Sequence, residues 1–206
     1  MPPARSTPPQ TSSGSKSYSG ANAGSATPRE ADHLIHRLLD RLALTEGLFA
    51  CTHLYRTDDR RGTAISLTLP DAAADAVWPE LLRTLPEGTG LVLSDRTHGP
   101  DDAVDTARLA AAAPPASGRA VVYPGVAHLT GTVTVADLLD RTAVEHLVVL
   151  GAPAAELPPA TEVLTQDHVR PEWRAGVLTL VLVPAAGGRM APFEVPNPTP
   201  CCADHL

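Results

Sequence analysis

Hydrophobic positions recur along this chain with two periods, and the switches between them mark its elements. Leu34, Ile35, Leu38, Leu39 and Leu42 follow one another at helical spacing, the period that turns one face of a helix toward a core. With Asp32 as N-cap and Gly47 as terminator they predict an amphipathic helix over about 32–44. Residues 48–56 and 63–69 read as two strands joined across the polar segment 57–62. Pro70 and Asp71 open a second helix with Ala74, Val77, Trp78, Leu81 and Leu82 on its inner side, and Pro79 predicts a kink or restart within it. A short strand over 91–93, a polar loop over 95–100 and an alanine-rich helix over 101–113 complete the first half. The early carboxylates of that helix, Asp101, Asp102 and Asp105, complement its dipole and need no catalytic explanation.

Past Pro114-Pro115-Ala116-Ser117-Gly118 the pattern becomes richer in strands. Runs at 119–123, 126–133, 146–150, 162–165, 177–183 and 190–195 have strand length, and Thr134 with Asp137 marks the start of a short helix through Asp140. Gly187-Gly188 predicts the hairpin turn between the last two strands. The order of elements predicts an α+β protein, a largely antiparallel or mixed sheet with helices packed mainly on one face. The break near 114–118 leaves one composite sheet and two abutting subdomains both open.

Composition alters the picture at the two ends. Residues 1–29 are mostly Ser, Thr, Pro, Gly and Ala, and such a segment buries too little surface to offset its ordering entropy. It is therefore expected to be a disordered tail, with the α+β domain spanning 30–196. Over 197–206 the chain carries Pro198 and Pro200 and then Cys201-Cys202-Ala203-Asp204-His205-Leu206. Alternating prolines favour an extended arm, which would hold the terminal thiols away from the last strand. Aromatic residues make up only 3 % of the 206, so the core must be built from Leu, Val and Ala, with Phe49, Trp78, Trp173 and Phe193 as large anchors.

The formal charge of −7 argues against nucleic acid, whose phosphates reward a basic face. No apolar run reaches the roughly 18–20 residues of a membrane span, and the N-terminus lacks the apolar stretch of a signal peptide. Three cysteines do not make a disulfide framework, so a reducing cytoplasm is the expected setting.

Phosphate-cradling glycine motifs, a nucleophile elbow, H-E-x-x-H and C-x-x-C are all missing from the sequence, which leaves any reaction and its catalytic residues unassigned. The terminal cluster remains. Cys202 and His205 have C-x-x-H spacing, which closes around one ion, and sulfur plus imidazole suits zinc or copper(I). Cys201 adds a second thiol. Cys51 and His53, two apart on a strand and so on one face, would complete the set Cys201, Cys202, His205, Cys51 and His53 in a structural or sensory metal site. The alternatives are a thiol-dependent enzyme or redox sensor using Cys201 or Cys202, and a non-catalytic module whose partner is a protein. For the last, the contact surface would be the proline arm or the loop with His168, Arg170, Glu172 and Trp173, which gathers a base, a cation, an acid and an aromatic ring and suits an anionic ligand or a partner. His33, His36 and Asp40 fall near one helix face, an arrangement met more often at a solvated edge than at a metal.

Overall fold

The computed structural model describes residues 15–42, 47–58, 60–152 and 157–196. Its first half is strand β1 (Lys16–Ser25), helix α1 (Pro28–Leu42), strands β2 (Phe49–Arg56) and β3 (Arg61–Pro70), helix α2 (Ala74–Thr84) and strand β4 (Gly90–Leu93). The four strands lie in the order β4-β1-β3-β2, every pair antiparallel. This is a doubled split β-α-β arrangement. After β5 (Arg96–His98) and α3 (Asp101–Ala112) come β6 (Ser117–Val122), β7 (Thr132–Thr134), α4 (Val135–Arg141), β8 (His146–Val149), β9 (Glu162–Leu164), β10 (Glu172–Arg174), β11 (Val177–Ala185) and β12 (Arg189–Pro192).

The α+β class and the mostly antiparallel mixed sheet agree with the reading of the sequence. The pairing runs unbroken through β2-β6-β10-β11, so both halves share one sheet of 12 strands. Among the described residues, only β8 with β11 and β9 with β12 pair in parallel.

The expected disordered tail is corrected over its second part, because Lys16–Ser25 is an inner strand paired on both sides. Its small residues are what the place requires. Gly20 lies under α3, where a Cβ would run into the Ala107 carbonyl, and Gly90 on neighbouring β4 meets the Ala103 backbone in the same way. Ala103, Ala107, Ala110 and Ala111 give α3 its buried side, so helix and sheet approach with almost no side chain between them. A strand built for that approach has the composition of a linker.

The start of α1 is also earlier than Asp32. Thr27 Oγ1 accepts the Glu30 N–H at 3.2 Å, and the Glu30 carboxylate accepts the Ala26 N–H at 2.7 Å, a close relative of the capping box with Pro28 at the first helical position. Asp32 is thereby free of capping and is buried inside the helix, just past its first turn.

Helices cover both faces of the sheet, where the sequence led to helices mainly on one face. On β4, Leu91 and Leu93 join the core beneath α1 and α2, whereas Val92 between them packs with Val104 and Ala107 of α3. Alternate strand residues face opposite ways, so α3 lies across the sheet from α1 and α2. In the second half Ala120, Leu178, Leu180 and Leu182 share a core with Val135 and Leu138 of α4. Cys51 belongs to that core while its neighbour Ala50 belongs to the other, which places the α4 core on the α3 side.

Elsewhere the differences are local. Val126–His128 is a 3-10 turn, and only Thr132–Thr134 of the expected strand 126–133 pairs. Helix α2 continues across Pro79 as one element. Strand β12 ends at Pro192, three residues early. Phe193 and Glu194 are therefore left beside the sheet, where they help to form a cleft.

Candidate functional site

Beyond the edge of α1 the sheet continues through β6, β10 and β11, and the side facing α1 is left open there. A cleft of about 870 Å³ occupies this place. Its charged wall is an extended segment in which His168, Arg170, Glu172 and Arg174 all line the cleft. The alternation follows from strand geometry: Val169 is buried in the α4 core, and Trp173 packs against that core from the same side. The segment is well anchored. Thr165 donates through its N–H and its hydroxyl to the Gly131 carbonyl at 2.9 Å, Asp167 accepts the Gly131 N–H at 2.9 Å, and Tyr123 donates to the Val169 carbonyl at 3.2 Å. Gln166 and Asp167 both hold φ near +50°, a turn that non-glycine residues adopt only when the surroundings enforce it.

Arg119 of β6 stands opposite Glu172 in the ladder and is the hub of the cluster. It donates to both oxygens of Asp32 at 2.7 and 3.0 Å, to Glu194 through Nε at 2.7 Å and also through Nη2, and to Thr52 Oγ1 at 3.2 Å. Arg170 reaches Asp32 at 3.4 Å, and His168 Nε2 lies 3.0 Å from Glu194. Two arginines and a histidine thus share two carboxylates. Burial works against the charge of Arg119, but Glu194 and Asp32 outweigh it and hold the guanidinium firmly protonated. Burial likewise would raise the Glu194 carboxyl, yet hydrogen bonds from Arg119 and His168 keep it below the usual carboxylate range. His36, one turn along α1 from Asp32, has its pKa lowered by burial and then by Arg170.

The opposite wall is apolar. Leu150, Phe193 and Val195 line it together with Val181 and Pro192, and the first three are exposed. Large apolar groups left in water beside a charged recess mark a binding surface more often than a fold requirement. The lining carries four arginines, Arg29, Arg119, Arg170 and Arg174, against Asp32, Glu172 and Glu194. Counted over its Arg, Asp and Glu side chains, the cleft is therefore one charge positive in a chain whose formal charge is −7.

Of the loop residues singled out from sequence, His168, Arg170 and Glu172 meet in this cleft, while Trp173 turns to the other face and stacks with Phe49 at 5.3 Å. Arg174, Arg119, Asp32 and Glu194 were missed. The period of two in His168-x-Arg170-x-Glu172-x-Arg174 could have found the first, but the others come from distant elements and left no local signal.

Cys51 and His53 do share a face, the one opposite the cleft. A Cβ on Gly118 (φ 132°) would stand 2.6 Å from the His53 ring and 3.3 Å from the Cys51 Cβ. His53 Nε2 lies 2.7 Å from Ser66 Oγ, and burial lowers its pKa to about 4. Burial pushes the Cys51 thiol up to about 12, against the smaller opposing pull of Trp173 and Ser66. The other proposed ligands, Cys201, Cys202 and His205, lie outside the described residues. Among the described residues no group of three or more His, Cys, Asp or Glu is arranged to hold a metal, and no helix is long and apolar enough to cross a membrane. No family model matches the chain, and no curated protein and no solved structure matches it either.

Proposed function

We propose that this protein is a non-catalytic binding module of the cytoplasm whose site is the cleft between α1, the 168–174 segment and residues 193–196. Its ligand is an amphipathic anion, with a carboxylate or similar head directed to Arg119, Arg170 and His168 and an apolar body laid on Leu150, Phe193 and Val195. The observation that carries this reading is that those exposed apolar side chains share one recess with the cationic cluster. A preformed charged pocket gives orientation, and apolar contact gives affinity.

Titration with octanoate, 1-octanol and octylamine, read by calorimetry, tests it. Octanoate is expected to bind best, and Phe193→Ala to weaken it roughly tenfold, since covering a phenyl ring contributes about 1.5–3 kcal/mol. Equal binding of the three probes, or octanoate binding indifferent to Phe193→Ala, would sink the reading.

A second proposal keeps the metal reading: zinc or copper(I) bound by Cys201, Cys202 and His205, with Cys51 and His53 as further ligands. It is supported by the terminal spacing and by the common face of Cys51 and His53. Cys51 joins such a site only by giving up a proton that burial holds to about pH 12. Metal analysis of untagged protein decides it, with stoichiometric metal expected in the native chain and none in the Cys201→Ser/Cys202→Ser variant. Metal-free native protein would remove this proposal.

A further inference from the structure

Arg119 holds two carboxylates that differ in how freely they could leave. Asp32 sits within helix α1 with its side chain 11 % exposed and is held by two arginines. Glu194 is 37 % exposed and belongs to a segment, 194–196, that is in neither helix nor strand. The last backbone tie before it is the Phe193 N–H to the Val181 carbonyl at 2.9 Å. Glu194 nevertheless occupies the strongest anion position in the cleft. It takes Nε and Nη2 of Arg119 together and lies 3.0 Å from His168, the side-by-side geometry in which a guanidinium grips a carboxylate.

We propose that Arg119 and His168 form a carboxylate-exchange site that Glu194 fills in the free protein, and that the ligand's carboxylate takes its place. The inference rests on the binding function above and names its central contact. The exchange conserves charge: one carboxylate leaves the guanidinium as another arrives, so no buried cation is left unpaired, which is the costly outcome in such a cluster. The displaced Glu194 is already partly in water. Because the competitor is tethered, it acts as an internal ligand at high effective concentration and raises the apparent Kd by the reciprocal of the fraction of time the site stands free.

Octanoate titrations of the native chain, Glu194→Gln and Glu172→Gln test this. Glu172 lines the same cleft but pairs with Arg174 at 3.1 Å, so its variant removes the same charge without opening the Arg119 fork. Glu194→Gln is expected to bind at least about tenfold more tightly, as for a site occupied nine parts in ten, and to gain at least about threefold more than Glu172→Gln, whose own gain reads the effect of removing one negative charge from the cleft. Should Glu194→Gln fold poorly, Glu194→Asp, whose carboxylate is one methylene short of the Arg119 fork, provides a second reading and should gain in the same direction. If native protein binds octanoate while Glu194→Gln gains nothing, or while Glu172→Gln gains as much, the exchange is wrong and the binding function stands. A Glu194→Asp variant that gains nothing also overturns it. If octanoate binds none of the three proteins, the binding function itself fails and the exchange with it.

Discussion

Asp32→Asn is the substitution that probes the cluster most directly. The carboxylate accepts from Arg119 at 2.7 and 3.0 Å and from Arg170 at 3.4 Å, with only 11 % of the side chain exposed. Removing one partner of a buried ion pair costs about 3–5 kcal/mol, because the remaining charge keeps its desolvation penalty. Two features reduce that here. Arg119 retains Glu194, and asparagine keeps the shape and one carbonyl acceptor, so about half the figure, ~2 kcal/mol, is expected. For a chain of this size that corresponds to a drop in Tm of roughly 4–8 °C. Urea unfolding measures it, with the midpoint lowered and the slope m unchanged, since the surface exposed on unfolding is the same. Combining the change with Arg119→Gln should give a coupling energy of at least about 1 kcal/mol, the mark of residues in one network. A loss below ~0.5 kcal/mol, the usual size for a surface pair, would refute the view that Asp32 is a buried anchor.

Two further outcomes follow from the other face of the sheet. His53 has a folded pKa of about 4 against 6.5 unfolded. The unfolded chain therefore binds the extra proton first, so the contribution of neutral His53 is complete above 6.5 and is lost as pH falls from there toward 4. The slope is up to about 1.4 kcal/mol per pH unit. Urea titrations at pH 7, 6 and 5 should show it and His53→Gln should flatten it; an equal slope in both proteins contradicts the burial of the ring. Gly90→Ala places a methyl group against the Ala103 backbone, which cannot swing aside. A loss of about 1–3 kcal/mol or more is expected from overpacking, read by thermal unfolding, and a neutral substitution would mean that α3 is not seated on β1 and β4.

The elements with a strong period were legible without a structure: α1 from its leucines, the β2-β3 hairpin, α3, α4 with its Thr134 cap, and β11 turning into β12. These depend on local repetition, and tertiary packing had no reason to override it. Strand β1 was not legible, because Gly20 is small for a reason that lies far along the chain, at the Ala107 backbone of α3, and no local pattern carries such a tertiary demand. The same applies to the cleft. The 168–174 alternation carried half of it openly, whereas Asp32 resembled a cap and Glu194 a strand residue until the fold brought both to Arg119.

By itself, then, the sequence determined the α+β class, most element boundaries, the acidic character and one charged segment of the cleft. Tertiary structure decided the rest: that residues near the N-terminus form an inner strand, that helices cover both faces, that Cys51 and His53 point away from the charged cleft, and that one arginine gathers carboxylates from α1 and from beyond β12. Hydrophobic periodicity is a property of neighbours along the chain and can be read there. Charge pairing and close helix-sheet approach depend on residues far apart in sequence, whose meeting only the completed sheet brings about.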